Sequence, residues 1–378
     1  MRSKGLKAAV LGYGTIGSGV VEILEKNSAL IERQAGRKVE VKYVLDLREF
    51  PGDPVNKYLV HDFDVIANDP EVDVVIETMG GTGAAYTFVK ASLLAGKHAV
   101  TSNKALVAKY GCELLEIARE KKINFLFEAS VGGGIPIIRS MFSALRGTNI
   151  KSVTGILNGT TNFMLTKMLK ENRDYADVLA EAQALGFAER DPSADVEGFD
   201  ACRKIAILAS VATGRFVDFE DISTRGITDV TKEDMEAAAG LGLSLKLVAR
   251  YEAMGEKAGA FVCPAALTSQ NPLANVNGVV NGVLVDGEES EELLFTGPGA
   301  GKLPTASAVV ADVVEAVIYS DRTVYGGWTD EKLQVEDISG IRRQYLITGT
   351  GAGAYVTEPM TRAEAEAKAA GGRVYPVL

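Results

Sequence analysis

The sequence predicts an α/β protein whose N-terminal part is a doubly wound parallel sheet. Three observations predict it: short apolar runs alternate with stretches of helical spacing, a glycine-rich turn follows the first run, and 378 residues suffice for two or three domains. Continuous apolar strands that alternate with helices are typical of parallel sheets buried on both faces. An α+β region and a short C-terminal β-α-β-like tail are expected after this sheet.

A glycine-rich turn joins the first predicted strand, residues 7–11, to a helix through residues 20–24. The turn reads Gly12, Tyr13, Gly14, Thr15, Ile16 and Gly17. In a βαβ unit the first glycine permits the tight turn, the second lets the backbone approach a pyrophosphate, and the third lets helix and strand pack closely. The helix N-terminus then faces the negative charge. This context favours a Rossmann-type dinucleotide site over a glycine turn without a ligand.

The remaining elements of the N-terminal part follow the same alternation. Strands are predicted at residues 39–45, 73–77, 98–101 and 124–128, and helices at 85–95 and 106–121. Open parallel sheets bind ligands beyond the carboxyl ends of their strands. Residues 78–81 and 102–104 follow two of these strands, so we expect them to line the cofactor crevice.

Three consecutive glycines, at positions 132 to 134, stand before Pro136 at the end of this part. Such a run indicates irregular backbone that approaches something closely. The residues alone leave two interpretations open, an interdomain hinge and a ligand-binding turn.

From residue 151 the pattern becomes that of a second, α+β domain. Predicted strands are 151–157, 244–251 and 259–267, and predicted helices run to residue 171 and over 175–185 and 197–212. The expected domains are 1–135 for nucleotide binding, 136–302 for substrate binding, catalysis and dimerisation, 303–320 for a helix returning to the first domain, and 321–378 for the tail.

Composition excludes several classes of function. A net charge of −10 and a pI near 5.0 lack the positive field that nucleic acid or an anionic membrane would need. No apolar run is long enough to span a bilayer, and residues 1–4 lead into a strand rather than a signal peptide, so we expect a cytoplasmic protein. The three cysteines are too widely spaced for a disulfide framework or a cysteine-based zinc site.

Acid–base chemistry must come mainly from lysine, aspartate, glutamate or tyrosine, because the chain has only two histidines. Asp200 and Lys204 are four residues apart, so they share one face of a helix. Residues 205–212 carry no charge, which predicts a buried helix. The pair alone slightly favours a structural ion pair over a functional amine. The dinucleotide motif shifts the interpretation to the functional amine, because a dehydrogenase acting on an alcohol needs a proton-transfer group.

Taken together, the motifs resemble homoserine dehydrogenase over residues 5–320. The segments that carry the resemblance are 12–17, 102–104, 128–136, 158–162, 189–204 and 297–301. The resemblance implies reversible, NAD(P)-dependent interconversion of L-aspartate 4-semialdehyde and L-homoserine, a step toward threonine, methionine and isoleucine. It also implies a small-molecule substrate and a homodimer or homotetramer.

The resemblance implies catalytic and substrate-binding roles for individual residues. Lys204 looks like the proton donor with Asp200 as its partner, and Lys104 looks like a second lysine between nicotinamide and substrate. Glu189 matches the carboxylate that holds the substrate amine. Two further substrate-binding candidates are Asp195 and Thr160.

The resemblance also implies which residues bind the cofactor and which bind a metal ion. The cofactor-binding candidates are Gly12, Tyr13, Gly14, Thr15, Ile16, Gly17, Asp46, Arg48, Thr78, Lys104 and Gly301. A sodium ion, or potassium, is expected on four backbone carbonyl oxygens, those of Glu128, Val131, Gly133 and Ile135. This use would explain the glycine run as a ligand-binding turn.

Two features depart from the family pattern. Leu45 stands where NADP-preferring members often have an arginine, and the following Asp46 suits the ribose hydroxyls of NAD. Arg48 can still bind a 2′-phosphate, so NAD is favoured and NADP stays open. The tail, residues 321–378, is shorter than the regulatory ACT domain of longer members. It is predicted as a strand, a helix and a strand, either a shortened ACT-like module or a structural tail.

Two other activities are compatible with parts of this pattern. Aspartate-semialdehyde dehydrogenase shares the substrate but needs a catalytic cysteine, and none of the three cysteines has a nucleophile-like setting. A non-catalytic nucleotide-binding redox sensor or regulatory subunit would keep the glycine turn but has no need for Lys104, Glu189, Asp200 and Lys204 together.

Overall fold

The structure, a computed structural model, describes residues 5–325, 327–336, 338–351 and 353–378. Residues 1–4, on which the expectation about a signal peptide depends, lie outside this part of the chain. None of the helices in the described ranges combines the length and apolar character that crossing a bilayer requires.

The strands of the described residues belong to three sheets. In chain order they are β1 (Leu6–Leu11), β2 (Val39–Leu45), β3 (Leu59–Val60), β4 (Val72–Glu77), β5 (His98–Thr101), β6 (Phe125–Leu126), β7 (Ile150–Ile156), β8 (Ser223–Thr224), β9 (Ser244–Met254), β10 (Lys257–Leu267), β11 (Val280–Gly287), β12 (Glu291–Pro298), β13 (Val335–Glu336), β14 (Tyr345–Thr348), β15 (Tyr355–Val356) and β16 (Arg373–Pro376).

The α-helices alternate with these strands in the first part of the chain. In chain order they are α1 (Thr15–Lys26), α2 (Ser28–Ala35), α3 (Asp64–Ala67), α4 (Gly83–Leu94), α5 (Lys104–Lys121), α6 (Ile137–Arg139), α7 (Gly159–Glu171), α8 (Tyr175–Ala184), α9 (Ser193–Val196), α10 (Phe199–Thr213), α11 (Lys232–Gly240), α12 (Lys302–Ile318) and α13 (Arg362–Ala369).

The chain divides into two compact units. Unit 1 comprises Met1–Arg146, Ser210–Phe216 and Pro298–Lys332, and unit 2 comprises Gly147–Ala209, Val217–Gly297 and Leu333–Leu378. The domain boundaries expected from the sequence stay predictions.

Unit 1 contains a six-stranded parallel sheet in the order β3-β2-β1-β4-β5-β6. This is the strand order of a dinucleotide-binding doubly wound sheet, which reverses direction between β1 and β4. The predicted fold class is therefore confirmed. Helices α1 and α12 bury Val20, Leu24, Val309 and Val313 in one core cluster with the sheet.

Unit 2 contains a mixed sheet in the order β12-β11-β7-β9-β10-β13, with β8 paired to β10. Strands β9 and β10 pair antiparallel along their whole length, from Ser244 opposite Leu267 to Met254 opposite Lys257. Both strands are buried over most of that length. Helix α10, whose residues 205–210 are all buried, belongs to this unit over most of its length.

The C-terminal segment forms a small antiparallel sheet, β15-β14-β16, with α13. The predicted strand, helix and strand are present, and β15 is an additional strand. Several hydrogen bonds and ion pairs fasten the segment to the rest of unit 2. The backbone N–H of Leu378 donates to the carbonyl oxygen of Ala266 at 2.9 Å, and the buried Asp234 carboxylate pairs with Arg373 at 2.6 Å.

Candidate active site

The glycine turn after β1 has the backbone that its sequence predicts. Gly12 has a φ of +92°, in the left-handed region that favours glycine. A Cβ atom on Gly17 would lie 1.9 Å from the carbonyl oxygen of Gly12. The third glycine of the motif is therefore required for α1 to pack this closely against the end of β1.

The loop after β4 supports this turn. The Thr78 hydroxyl lies 3.0 Å from the carbonyl oxygen of Leu11 and 2.9 Å from that of Gly12. The fully buried Glu77 carboxylate accepts a hydrogen bond from the backbone N–H of Met79 at 2.8 Å, and burial raises its pKa. The loop is therefore fixed in shape where it meets the glycine turn.

Asp46, the first residue after β2, is bonded to the glycine turn and to Arg48. Its Oδ2 accepts a hydrogen bond from the backbone N–H of Tyr13 at 2.8 Å. Arg48 donates from Nε to Oδ1 and from Nη2 to Oδ2, both at 2.9 Å, and holds the pKa of the Asp46 carboxyl well below its usual range. Asp46, Arg48 and the turn thus form one hydrogen-bonded group.

A cavity of about 490 Å³ lies beside this group. It is lined by Gly12, Gly14, Leu45, Asp46, Leu47, Arg48, His61, Phe63, Thr78, Met79, Ala84 and Phe88. A Cβ on Gly14 would meet no atom within 4 Å, and the first turn of α1 has no acidic residue. A mostly apolar cavity with a few polar groups, next to an open helix N-terminus, fits a dinucleotide.

Lys104 is the first residue of α5, at the sheet edge where β4 and β5 end. Asn103 caps this helix by accepting a hydrogen bond from the backbone N–H of Leu106 at 3.1 Å. The Asn103 amide also donates to the carbonyl oxygen of Gly81 at 2.5 Å. Lys104 therefore stands on a fixed helix start at the edge where a parallel sheet binds its ligand.

The glycine run at residues 132–134 packs against residues 298–301, within unit 1. Gly133 has a φ of +57°, and a Cβ on it would lie 2.5 Å from the carbonyl oxygen of Gly299. The backbone N–H of Gly134 donates to the carbonyl oxygen of Pro298 at 3.1 Å. Gly301, with a φ of +119°, is the N-cap of α12. Close backbone approach is therefore one reason for the glycine run.

The Glu128 side chain is engaged in the protein itself. Its carboxylate accepts a hydrogen bond from the backbone N–H of Arg139 at 2.7 Å, and burial beside the Asp312 carboxylate raises its pKa. A cation at this turn would therefore be held by carbonyl oxygens, of which that of Ile135 already accepts a hydrogen bond from Ile137 at 2.9 Å. Across the described residues, no group of three or more His, Cys, Asp or Glu side chains is placed to hold a metal ion.

Asp200 and Lys204 form a buried ion pair on one face of α10. Lys204 Nζ lies 2.7 Å from Asp200 Oδ2, and the two side chains are 10% and 5% exposed in the order lysine, aspartate. The same Nζ donates to the carbonyl oxygen of Leu157, just after β7, at 2.7 Å. The structure thus brings together, inside unit 2, the two residues that the sequence pairs.

Asn158 joins this ion pair to a second acid. Its amide nitrogen Nδ2 donates to Asp200 Oδ2 at 2.9 Å and to Asp195 Oδ1 at 2.7 Å. Its Oδ1 caps α7 by accepting a hydrogen bond from the backbone N–H of Thr161 at 2.8 Å. Sequence reasoning missed this role, because an asparagine before a helix is sufficiently explained as an N-cap.

Thr160 and Glu189 are the remaining substrate-binding candidates. The Thr160 hydroxyl donates to the carbonyl oxygen of Phe187 at 2.7 Å and is mostly buried. Glu189 lies on the exposed loop that follows, where its backbone carbonyl accepts a hydrogen bond from Gln183 at 3.1 Å. Glu189 is exposed, whereas Asp200 and Lys204 are buried.

Family comparisons cover both units. A family model described as the NAD-binding domain of homoserine dehydrogenase matches residues 12–128, and one described as homoserine dehydrogenase matches residues 136–314. The homoserine dehydrogenase of Bacillus subtilis (strain 168) is 44% identical over 314 residues, which are 82% of this chain and 72% of the relative. That of Synechocystis sp. is 44% identical over 319 residues, 82% and 73% of the two chains.

Solved structures give the same result. A homoserine dehydrogenase from Thiobacillus denitrificans has a TM-score of 0.92 and 31% identity, covering 99% of this chain and 98% of its own. A hyperthermophilic archaeal homoserine dehydrogenase in complex with NADPH has a TM-score of 0.71 and 29% identity, covering 83% and 98%. A non-catalytic sensor is not favoured, because the homoserine dehydrogenase model matches residues 136–314, which include Asp200 and Lys204. The chain therefore belongs to the homoserine dehydrogenase family of NAD(P)-dependent oxidoreductases.

Proposed function

We propose that Lys204 is the proton-transfer group in the interconversion of L-aspartate 4-semialdehyde and L-homoserine, the NAD(P)-dependent reaction of this family. The observation that supports the proposal is the buried ion pair on α10, with Lys204 Nζ 2.7 Å from the Asp200 carboxylate. Burial favours the neutral amine and the carboxylate favours the ammonium, so the two effects together can tune the lysine for proton transfer.

The bound nicotinamide supplies the hydride in one direction and accepts it in the other. During reduction the aldehyde oxygen gains negative charge, which the Lys204 ammonium stabilises before donating its proton to that oxygen. During oxidation the neutral Lys204 amine accepts the proton of the homoserine hydroxyl. Asp200 keeps Lys204 in position, and Lys104 is the proposed second ammonium beside the reacting oxygen.

Recognition of the zwitterionic substrate is assigned to the loop and helix residues of unit 2. Glu189 is the proposed partner of the substrate amine, and its position on an exposed loop makes its carboxylate accessible to an entering ligand. Asp195 and Thr160 are the proposed neighbours of the substrate. Asn158 positions Asp195 and Asp200 by donating to both.

The test is homoserine-dependent reduction of NAD or NADP at alkaline pH, followed by the absorbance of the reduced nicotinamide. Lys204→Met is expected to lower kcat about 10²- to 10⁴-fold, the usual contribution of a positioned acid or base. Lys204→Arg keeps the charge but does not release its proton, so it should be similarly slow. Near wild-type turnover in a folded Lys204→Met protein would exclude the assignment, and so would an active Lys204→Arg.

Within NAD(P), we propose that NAD is preferred. Asp46 lies in the lining of the cavity beside the glycine turn, where a carboxylate binds ribose hydroxyls and repels a 2′-phosphate. Arg48, the alternative phosphate ligand, is engaged with that same carboxylate through two hydrogen bonds. Measuring kcat/KM for NAD and NADP side by side tests this preference.

A sodium or potassium ion is proposed on the carbonyl oxygens of Glu128, Val131, Gly133 and Ile135. Hard oxygen ligands in an irregular glycine turn suit an alkali cation, and the positive φ of Gly133 belongs to such a turn. Replacing Na⁺ and K⁺ by N-methylglucamine at constant ionic strength should lower activity and melting temperature. Equal values in all three salts would reject the site.

A homodimer or homotetramer is proposed as the working assembly, and the cytoplasm as its compartment. The three cysteines are free thiols, as a reducing compartment maintains them. Light scattering during size-exclusion chromatography would give the mass of the assembly, and a monomer would overturn that part of the proposal.

A further inference from the structure

Unit 2 contains a small cavity whose lining includes none of Asn158, Asp195, Asp200 and Lys204. Its volume is about 50 Å³. It is lined by Ser223, Arg225, Phe261, Val262, Cys263, Ile338, Ser339, Arg343, Tyr345, Arg362, Val374 and Pro376. Since one water needs about 10–15 Å³ by this measure, the space suits several waters or one small polyatomic group.

Among the described residues, the lining contains three arginines and no carboxylate. This is unusual in a chain with a net charge of −10. Arg225, Arg343 and Arg362 come from three different segments, after β8, before β14 and at the start of α13. The fold therefore brings three guanidinium groups to one small space.

The acids near this cavity neutralise the arginines incompletely. Glu252 pairs with Arg343 at 3.2 Å but also with Arg250 at 3.0 Å, so one carboxylate serves two guanidinium groups. Arg362 pairs with Glu366 at 2.8 Å on its own helix.

Arg225 has no acidic partner among the described residues. Its Nη2 donates to the carbonyl oxygen of Val374 at 3.0 Å, and its guanidinium lies 5.5 Å from the centre of the Tyr375 ring. Counting the described residues, positive charge therefore exceeds negative charge around the cavity.

Two further observations indicate unused capacity for an anion. The Nε atom of Arg343 is buried and has no hydrogen-bond partner among the described residues. Burial raises the pKa of the Cys263 thiol to about 11, so this lining residue is uncharged at neutral pH and supplies no counter-charge.

We propose that this cavity binds a small oxyanion, such as inorganic phosphate or the carboxylate group of a small organic acid. Arginine guanidinium groups bind phosphate and carboxylate groups through paired, charge-assisted hydrogen bonds. Phe261 and Ile338 provide apolar walls, which strengthen these hydrogen bonds by excluding water. Since the three arginines belong both to the central part of unit 2 and to its C-terminal segment, the anion would fasten that segment to β10.

Thermal unfolding of the full chain tests the proposal without depending on catalysis. Sodium phosphate and sodium acetate would each be titrated against sodium chloride at matched ionic strength. We expect a saturable rise in melting temperature with phosphate, acetate or both, and the more effective anion identifies the class of ligand. No rise above that in chloride would overturn the proposal.

Arginine variants locate the site. Arg225→Gln and Arg362→Gln should each lower the affinity for the anion that stabilises the wild type at least about tenfold. This is the expected result of losing one charge-assisted hydrogen bond. Arg33→Gln, an exposed arginine on α2, is the matched control with the same change in net charge and should bind as wild type. Unchanged anion binding in both cavity variants, measured by isothermal titration, would place the anion elsewhere and reject the assignment.

Discussion

Lys204 and Asp200 lie one turn apart on α10, with Nζ and Oδ2 separated by 2.7 Å and both residues buried. Removing one partner of such a pair costs about 3–5 kcal/mol if the other remains charged. Without the carboxylate, burial disfavours the charged ammonium, so a buried lysine releases its proton more readily and avoids this cost. We therefore expect that removing the Asp200 carboxylate shifts Lys204 toward its neutral amine.

Asp200→Asn is expected to lower kcat for semialdehyde reduction about 10²-fold and to move the alkaline limb of its pH–rate profile to lower pH. Reduction needs the ammonium, whereas homoserine oxidation needs the neutral amine, so oxidation should lose less activity near neutral pH. Profiles measured in both directions provide the check. A uniform loss with both profiles unchanged in shape would mean that Asp200 does not act through the protonation of Lys204.

Asn158→Ser should separate the helix-capping role of this residue from its role at the two carboxylates. Serine is an equally good N-cap, but its single hydroxyl cannot cap α7 and donate to both Asp195 and Asp200. We expect a loss of about 10-fold or more in kcat/KM, because the loss of one polar contact costs about 1–3 kcal/mol. Urea unfolding of Asn158→Ala, which loses both roles, should show the larger destabilisation. Equal activity in Asn158→Ser and wild type would contradict the bridging role.

Asp46→Ser should shift cofactor preference toward NADP. The substitution removes the negative charge near the ribose site and releases Arg48 from its two hydrogen bonds. We expect the NADP-to-NAD ratio of kcat/KM to rise about tenfold or more, equivalent to roughly 1.4 kcal/mol. The double variant Asp46→Ser, Arg48→Gln is the control and should lose most of that gain. A gain that survives in the double variant would show that Arg48 is not the phosphate ligand.

Elements of the parallel sheet were predictable because each is a continuous apolar run. The structure gives β2 as Val39–Leu45 and β5 as His98–Thr101, the ranges that the sequence predicts. The strand predicted at residues 124–128 is shorter, because Glu128 begins a helical turn and its N–H bonds to Asp312 at 2.8 Å. Helix α10 begins at Phe199, two residues later than predicted, because Gly198 has a φ of +88° that no helix accommodates.

Two of the unpredicted elements, β12 and α11, lack an apolar face that is visible in the sequence. Strand β12, Glu291–Pro298, lies at one edge of its sheet, and its residues are exposed or half-buried. Helix α11 buries only Asp234, Met235 and Ala238. At the site, spacing on one helix was enough to pair Asp200 with Lys204. The bridge through Asn158 depends on tertiary contacts across 37 and 42 residues, which no local pattern reveals.

Gly133→Ala and Gly96→Ala should differ in stability although both glycines have positive φ. Gly96, with a φ of +78°, has open space around its Cβ position, so alanine there costs about 1–2 kcal/mol of backbone strain. At Gly133 the added methyl group would also meet the carbonyl oxygen of Gly299 at 2.5 Å, adding about 1–3 kcal/mol for overpacking. The free energy of unfolding in urea measures both. Equal losses would mean that the two glycine-rich segments separate at little cost.

Lys246 should make the protein more stable as pH rises above about 8. Its ammonium lies within 2.8 Å of the Val276 carbonyl oxygen and 2.8 Å of Asn277 Oδ1, and burial lowers its pKa to about 8. Below that pH the lysine is charged in both states, and burying the charge opposes folding. Between about pH 8 and pH 10.4 the unfolded chain binds a proton that the folded chain does not, so the free energy of unfolding rises with pH.

The rise attributable to Lys246 is about 3 kcal/mol, at roughly 1.4 kcal/mol per pH unit. Urea unfolding of wild type and Lys246→Met across this range isolates it, because other titrating groups contribute equally to both proteins. Lys170→Gln is the control: its positive charge contributes to the lowered pKa, so its removal should start the rise at a higher pH. Parallel stability curves for wild type and Lys246→Met would mean that Lys246 stays protonated when buried, held by its oxygen acceptors alone.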